Sequence, residues 1–208
     1  YTCLTTYWIS PTGSDSNPGT LALPRQNPVA TFNALGGPGV CIRALAGTYT
    51  LNNTNFNVTS GGGNQDTLTG YSALVCDVPL TCLLRPWTSF PYVSNTIYVS
   101  AQPNPVNFGI IDGFDIEGGS LLVGCGSTSS CGASAIEVEY GHHWKIINNY
   151  LHDSAAAGLQ TGWMDYLLFR NNHVFNNAWL NASEYSGIST IIPWQVDAAS
   201  SYHYLLQN

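Results

Sequence analysis

The sequence predicts an all-β chain wound into a parallel β-solenoid, and two observations predict it. Residues 145–154, KIINNYLHDS, return 23 positions later as LFRNNHVFNN at 168–177, with the same Asn-Asn pair inside the same alternation of apolar residues. Self-similarity at a period of about 20 to 50 residues marks coils that stack on one another. The composition agrees. Of 208 residues only 8% are charged and 44% are hydrophobic, and Gly, Ser, Thr and Asn set among β-branched and aromatic residues describe short strands joined by tight turns.

The repeat sets a frame for the second half of the chain. Aligning the Asn pairs puts Ile146 over Phe169, Leu151 over Val174, Asn148 over Asn171 and Asn149 over Asn172. IIDGFDIEGG fits the same frame, with Ile111 under Ile146, Ile116 under Leu151, and Gly113-Phe114 where the Asn pair sits. That copy lies 35 positions earlier, and the 12 extra residues fall in 119–134, expected to be a loop closed by a Cys125–Cys131 disulfide. YHYLLQN then puts Leu206 over Phe169 after a second insertion at about 180–200. Coils of this length let each strand pair in parallel with its equivalent one rung on, about 4.8 Å away. The Asn pairs have a structural role in that frame. Asn tolerates the left-handed backbone of a bend, and its amide bonds to the same amide one rung away. Trp144 shares the parity of Ile146 and belongs in the core.

Length and charge restrict the rest. The chain suffices for one sizeable core, so a single domain, 1–208, is expected: a cap and first rung in 1–50, irregular early rungs in 51–105 and regular rungs in 106–208. The net charge of −7 comes from 12 acids against five cations, Arg25, Arg43, Lys145, Arg85 and Arg170, too few to neutralise a row of phosphates. Nucleic acid is not an expected partner. No run of 18 apolar residues offers a membrane span.

Six cysteines, at 3, 41, 76, 82, 125 and 131, show neither a CxxC pair nor a zinc spacing, so disulfides are expected. Loop closure favours near neighbours, which gives Cys76–Cys82 and Cys125–Cys131 and leaves Cys3 with Cys41. Disulfides imply an oxidising compartment. Sequons at Asn52, Asn57 and Asn181 are candidate glycosylation sites on a secretory route. With no apolar leader at Tyr1, the chain reads as a processed protein, secreted to the extracellular space or cell surface.

The N-terminal third carries a second signature. Gly13-Ser14-Asp15-Ser16-Asn17-Pro18-Gly19-Thr20 follows a tyrosine-containing strand, and Gly47-Thr48-Tyr49 closes a later rung. With IIDGFDIEGG and the two Asn-pair segments, these residues resemble the secreted right-handed parallel β-helix proteins of the pectate-lyase-like superfamily. The resemblance covers most of the chain and implies a right-handed parallel β-helix with a short N-terminal cap and disulfide-closed loop insertions. TFNALGGPG, where that pattern has a capping helix, allows little more than one helical turn. The superfamily includes lyases, hydrolases and adhesins, so fold alone does not set an activity.

Polysaccharide lyases of this fold use a Lys or Arg base beside acids that hold calcium, which makes Lys145 the candidate base. The parity of the frame points it outward, with Ile110 and Leu168 as vertical neighbours. Asp112, Asp115, His152 and Asp153 are the accompanying candidates, as metal ligands or as an acid/base pair. Each has a plainer reading as a turn or loop residue. His142-His143 and Asp15 with Asn17 read as loop and turn residues as well. Trp179 and Trp194, near the second insertion, are candidates for stacking on sugar rings.

The final segment begins a rung and stops at Asn208, leaving a bare rung end as a template for another chain or for missing rungs of a longer one. These features favour a glycosylated extracellular β-helix with a structural or surface role. It would associate head to tail with itself, contact polysaccharide and require no cofactor. The alternative is a lyase acting on an acidic glycan with Lys145 as base, calcium then entering with the acids.

Overall fold

A computed structural model of the chain describes residues 1–51, 62–86, 95–99, 106–119, 134–177, 191–194 and 204–206, with backbone alone at Tyr140, Trp163, 191–194 and 204–206. It is a parallel β-solenoid with three sheets. The first sheet stacks β1 (Thr5–Ile9), β2 (Val40–Ala44), β4 (Ser72–Cys76), β7 (Gly109–Asp112), β10 (Lys145–Ile147), β13 (Leu168–Arg170) and β16 (Tyr204–Leu206) in that order. The second stacks β3 (Gly47–Leu51), β5 (Cys82–Pro86), β8 (Asp115–Glu117), β11 (Tyr150–His152) and β14 (His173–Phe175). The third stacks β6 (Ile97–Val99), β9 (Ile136–His142), β12 (Leu159–Asp165) and β15 (Ile191–Trp194).

The register follows the repeat frame. Ile146 pairs with Ile111 on one side and Phe169 on the other, and Leu151 with Ile116 and Val174. All but Val174 are fully buried, and Val174 packs on the same core. Strand alternation makes this possible, since every second residue of β7, β10 and β13 faces the interior. Trp144 lies in that core too, its indole N–H donating to the Val106 carbonyl at 2.8 Å. One expectation fails after the second insertion: Leu205, not Leu206, pairs with Phe169, and Leu206 pairs with Arg170. A one-residue slip reverses every side chain, and two adjacent leucines offer no pattern to choose between registers.

The two residues of each Asn pair divide the labour. Asn148 and Asn171 take the left-handed bend, at φ +59° and +56°, and Gly113 does so in the rung before, at φ +81°. Asn149 and Asn172 are buried behind them. Asn149 Oδ1 accepts from the Phe114 N–H, Asn172 Oδ1 accepts from the Asn149 N–H, and each amide also donates to a core carbonyl, of Ile111 and Ile146 respectively. Backbone groups that a turn would leave unpaired are thus satisfied in place.

The cap departs from expectation in length. Helix α1 spans Pro28–Leu35, eight residues, because Asn27 caps it by accepting from the Ala30 N–H and Pro28 opens the first turn. It buries Val29 and Phe32 against the core and stops at Gly36. Cys3–Cys41 and Cys76–Cys82 are bonded as expected, and Cys125 and Cys131 lie outside the described residues. So do Asn52, Asn57, Asn181 and Trp179. No helix among the described residues is long and apolar enough to cross a membrane.

Candidate functional site

Lys145 faces outward between Ile110 and Leu168, but its ammonium is engaged. It sits 3.7 Å over the Tyr71 ring and 3.6 Å from Asp66, whose carboxylate also accepts the Tyr71 hydroxyl at 2.7 Å. The Tyr71 bond and the ammonium hold Asp66 below the usual carboxylate range, and burial pushes the Tyr71 hydroxyl up. Asp112, two positions along the same face, accepts from the Tyr1 hydroxyl at 2.8 Å and the Asn148 amide at 2.7 Å. The structure does not bring Lys145 and Asp112 to a common point.

Three other candidates do meet, on the outer face of the second sheet. His152 lies with Nε2 2.8 Å from Asp115 and Nδ1 2.7 Å from Asp153, and its ring stacks on Phe175 at 5.0 Å. Asp153 also accepts from the Asn176 amide one rung on. Both imidazole nitrogens are therefore occupied by carboxylates, which fastens the β8, β11 and β14 rungs and leaves no ring nitrogen to take up a substrate proton. Neither this trio nor Lys145 with Asp112 forms an oxygen cage for calcium. Among the described residues no group of three or more His, Cys, Asp or Glu is arranged to hold a metal ion.

The third sheet carries a pair that the sequence reading passed over. In AIEVEYG, Ile136 and Val138 are buried, so alternation sends Glu137 and Glu139 to the same outer face. Neighbouring elements hold both carboxylates. The Tyr98 hydroxyl of β6 donates to Glu139 at 2.8 Å, and the Asn95 amide donates to Glu137. Asn95 is itself positioned, its Oδ1 accepting from the Ser134 N–H at 2.6 Å, and the Ser134 hydroxyl donates to Gln160 at 3.3 Å. Burial first, then the charge of Glu139 and a hydrogen bond to it, pushes Glu137 up to about 7, against the opposing pull of Asn95. Glu137 thus keeps its proton well above the pH at which a solvated glutamate loses it. On β12, Gln160 stands opposite Glu137 and Gly162 opposite Glu139, so the next rung puts no side chain over Glu139. Trp194 takes the following register position in that column. The signal in the sequence was two acids at i and i+2 within a strict alternation, which also describes an ordinary solvated strand face.

No protein-family model and no curated protein sequence matches the chain. Among solved structures it is similar to a rhamnogalacturonan lyase, at TM-score 0.50 and 14% identity over 98% of this chain. It spans 65% of that protein's length. The likeness is one of fold. A pectate lyase, Pel9A, matches at TM-score 0.41 and 16% identity over 97% of this chain and 62% of that one. A GH136 lacto-N-biosidase from Eubacterium ramulus matches at TM-score 0.43 and 10% identity over 79% and 34%. The parallel β-helix expected from the sequence is thereby met as a fold.

Proposed function

We propose that the chain is a secreted, glycan-directed β-helix in which Glu137 and Glu139 form the acid–base pair of a hydrolytic site. The observation that carries this reading is geometric: two carboxylates stand on the same outer face of β9, Glu137 held by the Asn95 amide and Glu139 by the Tyr98 hydroxyl, with Gly162 opposite Glu139 on the next rung, and burial that pushes Glu137 up supports it. Glycoside cleavage asks for a carboxylic acid still protonated at working pH beside an ionised carboxylate. Glu137, raised to about 7, is placed as the acid, and Glu139, held by Tyr98, as the carboxylate beside it. In the reaction the bond between the sugar carbon and the bridging oxygen breaks and the Glu137 proton passes to the leaving oxygen. Glu139 offsets the positive charge that develops on the sugar. Water adds its hydroxyl to the sugar carbon and its proton returns to the pair.

The sequence alone favours an architectural role, with lyase chemistry at Lys145 second. Lys145 answers to Asp66 and Tyr71 on a different sheet, which disfavours elimination with that residue as base. The two disulfides and the scarcity of charge suit an extracellular protein. The test is incubation with a panel of neutral and acidic polysaccharides, following both reducing ends and the ultraviolet absorbance of unsaturated uronates. Reducing ends should rise without unsaturation, and Glu137→Gln should slow their release by about 10²- to 10⁴-fold. Unsaturated products, or release unaffected by the substitution, would overturn the assignment.

A further inference from the structure

The outer face of the second sheet is a separate surface, two residue columns wide. Register places Thr48, Leu83, Asp115, Tyr150 and His173 in one column. Beside it run Thr50 and Arg85, then Glu117, His152 and Phe175. Four strand-to-strand steps make this face about 19 Å long. Its two ends differ in chemistry. At the β14 end four rings gather: Tyr150 meets His173 edge-on at 5.3 Å and Phe175 at 6.2 Å, and His152 lies flat on Phe175. Tyr150 is 38% exposed, a large aromatic left open where a solvated strand would carry a polar group. At the β3 end the face opens into a cavity of about 470 Å³ lined by Thr48, Thr50, Pro11, Asp15, Gln26 and Asn27.

We propose that this face binds an extended neutral glycan laid along the solenoid axis, seated at one end in the cavity and at the other on the Tyr150–His173–Phe175 rings. Sugar rings present C–H faces that pack on aromatic rings, and hydroxyl edges that both donate and accept. The face matches both demands. The rings provide the apolar platform, and between them and the cavity run the Arg85–Glu117 pair and the Asp115–His152–Asp153 bridge. Carboxylate oxygens there accept hydroxyl protons, while threonine hydroxyls and the Gln26 amide line the far end. The cavity falls in the range of about 300 to 1,000 Å³ usual for small-molecule sites. Charge selects against acidic chains: Asp15, Asp115, Glu117 and Asp153 outnumber Arg85 and His152 on this face, so a polyuronate would meet an excess of like charge. The surface is on a different sheet from Glu137 and Glu139 and does not depend on the hydrolytic reading.

The test is native gel electrophoresis of the whole chain through gels containing galactomannan, hydroxyethylcellulose or polygalacturonate. At least one neutral polymer should retard the protein, and polygalacturonate should not. Tyr150→Ala with Phe175→Ala should weaken the retardation about tenfold, and so should Thr50→Trp, which fills the cavity mouth from an exposed position that carries little folding risk. Tyr166→Ala, an exposed ring at another corner, should leave it unchanged, with circular dichroism verifying that each variant is folded. Retardation by polygalacturonate alone, no retardation by any of the three, or full retardation in the folded Thr50→Trp variant would overturn the proposal.

Discussion

Asn172 Oδ1 accepts two hydrogen bonds from Asn149, one from its backbone N–H at 2.9 Å and one from its side-chain amide at 3.1 Å. The same Asn149 satisfies the Phe114 N–H and the Ile111 carbonyl behind it. Replacing Asn149 by Ala strands these buried groups at about 1 to 3 kcal/mol each, so Asn149→Ala should lose about 2 to 4 kcal/mol in urea unfolding. Its neighbour behaves differently. Asn148 is a bend residue with positive φ, so Asn148→Ala should cost about 1 kcal/mol and Asn148→Gly distinctly less.

Gly109 touches the core without contributing to it. A Cβ there would lie 2.3 Å from the Trp144 ring, which is buried and tied through its N–H to Val106. Gly109→Ala should therefore destabilise by about 1 to 3 kcal/mol, the cost of overpacking a ring that has nowhere to move. Near-ultraviolet circular dichroism of the tryptophans should change with it.

The two described disulfides should differ in worth. Cys3–Cys41 closes a separation of 38 residues and Cys76–Cys82 one of 6. Chain-entropy arguments give about 4 kcal/mol for the first and about 2 for the second. Pairwise Cys→Ser variants compared in denaturant should keep that order.

Stability should also fall as pH rises toward neutrality. Glu137 is raised in the folded state from 4.5 to about 7, so its folded form binds the proton more tightly than its unfolded form. The stabilisation it brings is fully present below about pH 4.5 and is lost as pH rises through about 7. Discounted for partial exposure, this is on the order of 2 kcal/mol. Denaturant midpoints of Glu137→Gln should show that much less pH dependence across the window.

How far the sequence disclosed all this depends on where repeats are unbroken. The registers of Ile111, Ile146 and Phe169, and of Ile116, Leu151 and Val174, were legible because the alternation fixes which face is buried and the Asn pairs fix phase. Past Asn177 no such marker survives, and the assignment of Leu206 slipped by one. Helix α1 was judged too short because Asn27 and Pro28, which start it, precede the segment that looked helical. The site was harder to read for a different reason. Glu137 and Glu139 draw their character from Tyr98 and Asn95, and Lys145 from Asp66 and Tyr71. All four partners lie far back in the chain and are brought near only when the coils stack. Asp115, His152 and Asp153 were recognised as candidates, but only register shows that both ring nitrogens are already taken.

The acid that the account places at Glu137 is most directly tested by following the side-chain carboxyl carbons of the labelled protein by nuclear magnetic resonance as a function of pH. The account predicts one glutamate titrating at about 7, lowered only in part in Glu139→Gln because burial, the larger cause, remains. If both carboxyls of the wild-type protein titrate near about pH 4, as solvated glutamates do, no acid is held ready on the third sheet and the hydrolytic site is contradicted.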